Sequence, residues 1–110
     1  MSKLPKLVRD KIPELIRESG NDYIAHADDD PAVMTGWLSK KLVEELEEFR
    51  SADDDKLEEA GDMLEVCLAL WANNGFTLED VLLAAKKKRI EKGAFKDGII
   101  LWDVIYERLE

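Results

Sequence analysis

Between residues 57 and 71 the apolar side chains fall on two roughly opposite faces of a helix: Leu57, Ala60, Leu64, Leu68 and Trp71 on one, Met63, Val66 and Leu70 on the other. A helix at the surface of a small protein carries one apolar stripe, whereas a helix apolar on two sides needs packed neighbours on both. This segment therefore belongs at the centre of a helical bundle. In so short a chain, one of its faces is expected to meet another subunit.

The flanking sequence supplies the other helices. Ile12, Leu15 and Ile16 have helical spacing up to Gly20, with Pro13 tolerable only in a first turn, so a helix is expected over residues 11–19. Asp28, Asp29, Asp30 and Pro31 form a start signal for a second helix from 31 to about 50, whose apolar stripe is Leu38, Leu42, Leu46 and Phe49 and should face the core. After a polar turn at 51–55, any of Asp53, Asp54 or Asp55 can cap the central helix, which should run to 73 or 74 before Gly75. Thr77 with Asp80 opens a fourth helix ending near Gly93. Residues 95–106 carry Ile99, Ile100, Leu101, Val104 and Ile105, which suit either a strand or a fifth short helix. The expected fold class is all-α: one domain over residues 1–110, an antiparallel four-helix-type bundle with short N- and C-terminal extensions.

Charge narrows the function. The net charge of −9 argues against binding a nucleic acid polymer or an anionic membrane. A single cysteine, no long apolar run and no signal-peptide pattern lead to the expectation of a cytoplasmic protein. Residues 28–65 hold 14 acidic side chains against four basic ones, and the segment 86–92 reverses the sign with Lys86, Lys87, Lys88, Arg89 and Lys92.

The positions of the acids are more informative than their number. Glu45, with Glu48 three residues on and Glu44 beside it, shares one flank of the second helix, and Glu47 points away. On the central helix Glu59 and Asp62 continue the face of Val66 and Leu70, which carries two carboxylates toward the interior. A carboxylate in such a place takes up a proton, finds a cation or coordinates a metal. Helices joined by a short turn pack antiparallel, so Glu45, Glu48, Glu59 and Asp62 can converge at one level. Four oxygen donors with no partner cysteine or histidine suit Mg²⁺ or Mn²⁺, and Mg²⁺ is commonly shared with substrate phosphates. The alternative is a set of salt bridges to Lys40, Lys41 or Lys56.

Glu44-Glu45-x-x-Glu48 followed by Glu59-x-x-Asp62 resembles the paired acidic signature of the MazG-like all-α nucleoside triphosphate pyrophosphohydrolases. The opening Lys6-Leu7-Val8-Arg9-Asp10-Lys11-Ile12-Pro13-Glu14 and the later Lys92-Gly93-Ala94-Phe95 resemble a subset described as phosphoribosyl-ATP pyrophosphohydrolase-like, so the resemblance covers nearly the whole chain. It implies Mg²⁺-dependent cleavage of a noncanonical or surplus nucleoside triphosphate between its α and β phosphates, releasing the monophosphate and pyrophosphate. It also implies Glu45, Glu48, Glu59 and Asp62 as metal ligands, Glu44 as a further ligand or the group that orients the attacking water, and assembly as a homodimer or homotetramer. Ala94 departs from the second glycine usual in the tail motif. Met63-Leu64-Glu65-Val66 lacks the Tyr-His of true phosphoribosyl-ATP pyrophosphohydrolases, which ranks that substrate second. A reading of another class is a non-catalytic acidic helical interaction module.

Cations to meet substrate phosphate are Lys41 on the same flank as Glu45, Arg9 in the opening, and Lys88, Arg89 and Lys92 near the end of the fourth helix. The last three also complement a helix dipole. His26, the sole histidine, is expected at the surface, and Cys67 is expected to be a small core residue. Trp37 and Trp102 are candidates for stacking on a base, although packing in a core or between subunits is the commoner fate of such residues.

Overall fold

The computed structural model describes residues 4–106. The described residues are all-helical, with four helices and no strand: α1 Ile12–Glu18, α2 Pro31–Ser51, α3 Lys56–Asn73 and α4 Leu78–Lys92. They divide into two compact units, one up to Leu78 and the other from Glu79.

The first unit is built on the α2–α3 hairpin. α2 starts where the sequence calls for it: Pro31 is its first residue, and Asp30 Oδ1 accepts from the Ala32 N–H at 2.9 Å. Its far end is held by Lys56, whose Nζ donates to the Phe49 carbonyl at 2.7 Å and lies 4.7 Å from the centre of the Phe49 ring. Asp55 takes the N-cap position of α3 without a side-chain capping bond, and Glu58 and Glu59 in the first turn complement the helix dipole instead. α3 stops because Gly75 adopts φ +87°, open to glycine at no steric cost, and this lets the Phe76 N–H reach back to the Trp71 carbonyl at 2.9 Å. At the opposite end of the hairpin Asn73 Nδ2 donates to the Pro31 carbonyl at 2.9 Å and to Thr35 Oγ1 at 2.8 Å, tying the end of α3 to the start of α2.

The packing differs from the stripe expected on α2. Leu38 is buried, Leu42 and Phe49 are half-buried, but Leu46 is 40% exposed, while Glu45 is buried with only 7% of its surface accessible. The inward-facing line is rotated toward Met34, Leu38, Lys41, Glu45 and Glu48, whose spacing of four and three residues alternately keeps a seam against one neighbouring helix. A stripe at 3.6-residue periodicity drifts off such a seam. On α3 the first apolar face is also more open than expected, with Leu57 88% and Leu64 49% exposed and Ala60, Leu68 and Trp71 half-buried.

In the second unit α4 ends at Gly93, again at φ +87°. Residues 95–106 form neither a strand nor a fifth helix. A strand needs a partner for its N–H and C=O groups, and no other strand is present among the described residues. Phe95, Trp102 and Ile105 are each at least 90% exposed. No helix among the described residues is long and apolar enough to cross a membrane.

Candidate metal and nucleotide site

The antiparallel turn brings the end of α2 beside the start of α3, and there Glu45, Glu48 and Glu59 each present a carboxylate oxygen within 4.8 Å of the other two. Glu45 is buried, Glu59 half-buried and Glu48 the most open of the three. Glu45 Oε2 and Glu59 Oε2 are buried without a hydrogen-bond partner, a costly state for a charged acceptor. The electrostatics follow from this crowding. Desolvation, then the neighbouring charge of Glu48, holds the Glu45 carboxyl above the usual range, and Lys41 offsets only part of this. Glu59 is raised in the same sense by desolvation and by the charges of Glu48, Asp55, Asp62 and Glu45.

Lys41 stands on the preceding turn of α2. Its Nζ is 3.1 Å from Glu44 Oε1 and 3.4 Å from Glu45 Oε1. Desolvation pulls the ammonium down, but the hydrogen bonds and charges of the two glutamates outweigh it, so its pKa ends above its ordinary value. The pairing open to Lys41 in the sequence is thus made, with Glu44 as well as Glu45. Glu44 lies outside the three-carboxylate group and accepts a hydrogen bond from Lys41 Nζ.

Asp62, expected as the fourth ligand, is also outside that group. Its Oδ1 accepts from Arg9 Nη2 at 2.7 Å, and Arg9 Nη1 lies 4.0 Å from Glu65. This pair is the contact the sequence reading missed: Arg9 lies 53 residues from Asp62, so no local spacing signals it.

A cavity of about 830 Å³ has Glu45 of the three-carboxylate group, together with Asp62, in its wall. Its walls are the lead-in from Leu7 to Lys11, the face of α2 bearing Leu38, Lys41 and Glu45, and the face of α3 from Asp62 to Asn73. Its lining combines charged groups, among them Arg9, Lys41, Glu45 and Asp62, with an apolar wall of Met34, Leu38, Val66 and Ala69, a mixture usual in small-molecule pockets. Comparison with protein-family models, curated proteins and solved structures yields no match.

Lys88, Arg89 and Lys92 are exposed on α4 in the second unit. His26 is exposed. Cys67 is half-buried, and desolvation pushes its thiol up, away from reactivity. Trp37 is half-buried beneath the Lys40 ammonium, 5.5 Å from the ring centre, and Trp102 is exposed.

Proposed function

We propose that this chain is a MazG-like nucleoside triphosphate pyrophosphohydrolase that uses Mg²⁺, or Mn²⁺ in its place, to cleave a noncanonical or surplus nucleotide between its α and β phosphates. The observation that carries the reading is the convergence of Glu45, Glu48 and Glu59, two of which keep a buried oxygen with no hydrogen-bond partner. Three carboxylates held this close repel one another, and a divalent cation turns that repulsion into ligation. The donor set is all oxygen, which suits a hard cation.

When bound, such a cation polarises the phosphates and lowers the pKa of a water bound to it. Glu45, Glu48 and Glu59 would hold it, with Asp62 as the further ligand that the resemblance implies. Glu44, kept in place by Lys41, is the group that orients the attacking water. Lys41 and Arg9 at the cavity wall balance phosphate charge, and the apolar wall of Leu38 and Val66 takes the nucleoside. About 830 Å³ lies within the range of roughly 300–1,000 Å³ usual for small-molecule sites.

The same reading includes a cytoplasmic homo-oligomer in which a second copy completes an antiparallel bundle of the four-helix type. It is supported by the apolar surface left uncovered on the hairpin, where Val43 is 62% and Leu57 88% exposed. Light scattering should give at least a dimer at micromolar concentration, and a 12.6 kDa monomer would refute that part.

Pyrophosphate release from a panel of ordinary, oxidised, deaminated and deoxy nucleoside triphosphates, with Mg²⁺, Mn²⁺ or EDTA, tests the chemistry. Release that needs the cation and is lost in Glu59→Ala is the expected result. No release by a folded wild type, with phosphoribosyl-ATP included in the panel, would sink the enzymatic reading.

A further inference from the structure

Asp62 follows Glu59 by one helical turn, yet it is engaged by Arg9 instead of joining the three glutamates. Arg9 comes from the lead-in and lines the same cavity as Lys41, Glu45 and Asp62. The two cations of this site differ in their surroundings. Lys41 has a side chain 17% exposed and is wedged between Glu44 and Glu45, whereas Arg9 is 57% exposed and its partner Asp62 34%.

We propose that Arg9 is an exchangeable counter-ion: it occupies Asp62 while the glutamate group is empty, and when a divalent cation enters, Asp62 turns to the cation and Arg9 is released to the phosphates of a ligand in the adjoining cavity. This rests on the metal-dependent reading above. An exposed ion pair contributes little to stability, so breaking it opposes metal entry only weakly. The guanidinium fork matches phosphate as well as it matches carboxylate, so Arg9 exchanges one anion for another with the same set of donors. Asp62 needs only to reorient within α3, since Glu59 on the preceding turn of the same face already belongs to the group. The device makes cation and anionic ligand cooperative: each removes a competitor of the other.

Arg9→Gln tests this because the two affinities should move in opposite directions. Mn²⁺ binding to the full chain is followed by the loss of the free-ion paramagnetic resonance signal, and binding of inorganic triphosphate at saturating Mn²⁺ by calorimetry. The variant should bind Mn²⁺ about three- to fivefold more tightly, the scale of a lost exposed pair, and triphosphate about tenfold or more weakly. Unchanged or weaker Mn²⁺ binding in a folded Arg9→Gln would overturn the exchange while leaving the metal site standing. No Mn²⁺ uptake by the wild type, indistinguishable from Glu45→Gln, would remove the metal reading and this inference with it. Should Arg9→Gln fail to fold, Arg9→Lys keeps the charge without the fork and should show the same two opposite shifts on a smaller scale; a shift of both affinities in one direction would refute the exchange.

Discussion

The seam between α2 and α3 has the same helical spacing at both ends and contrasting chemistry at each. Toward the start of α2 the groups are matched: Leu38 is buried, and Asn73 spends its amide donors on the Pro31 carbonyl and Thr35 Oγ1. Toward the α2–α3 turn the same inward positions are occupied by Glu45, Glu48 and Glu59, with two buried oxygens left without a partner. One end closes the hairpin and the other leaves it frustrated. Burial of like charges is retained in a stable helix pair when the matched end carries the fold and the mismatched end has another task, which we propose to be the binding of a cation.

If the two ends divide the work in this way, variants at each should separate activity from stability. The largest effect belongs to the acidic end: Glu45→Ala should lower cation-dependent pyrophosphate release by at least about 100-fold, as loss of a direct metal ligand should exceed the 10- to 100-fold cost of losing an outer-shell partner, while the protein stays folded by circular dichroism. Next comes the matched end. Leu38→Ala should cost about 2–3 kcal/mol in urea unfolding, and because Leu38 also lines the nucleoside wall its activity per folded molecule should fall, but far less than that of Glu45→Ala. Equal loss of activity in both variants would erase the proposed division.

Asn73→Ala should cost about 0.5–1.5 kcal/mol, because it removes two hydrogen bonds at the closed end, one of them part-buried. A cost below the error of the unfolding measurement would mean that the closure contributes no net stability.

The smallest effect is that of pH on the metal-free protein. Glu45 and Glu59 have folded-state pKa values raised above those of the unfolded chain, so across that window the folded protein holds protons that the unfolded chain has released. Stability should therefore fall as pH rises from the ordinary glutamate range toward neutrality, by a few degrees in Tm. Saturating Mg²⁺ should flatten the slope. Lys41, also raised, loses its contribution only in the alkaline range, outside this window. A Tm that climbs over the same interval would show that the carboxylates are relieved rather than crowded.

Much of this contrast was legible in the residue order. Asp30-Pro31 marked the start of α2, Gly75 and Gly93 marked the ends of α3 and α4, and the spacing of Glu45, Glu48 and Glu59 brought three acids to one level. These are local signals, set by capping chemistry, backbone sterics and helical pitch. The rotation of α2 that buries Glu45 and exposes Leu46 was less legible, because hydrophobicity alone favours the leucine and only the partner helix selects the seam. The region 95–106, rich in Ile and Leu, was misleading as a regular element, since apolar composition does not provide a hydrogen-bonding partner.

The sequence by itself therefore determined the helices, their boundaries and the turn that folds α3 back on α2, because each depends on interactions within a few residues along the chain. Only the tertiary structure decided which carboxylates meet. Arg9 reaches Asp62 across 53 residues, and no spacing along the chain signals that long-range ion pair, which engages Asp62 outside the group of Glu45, Glu48 and Glu59.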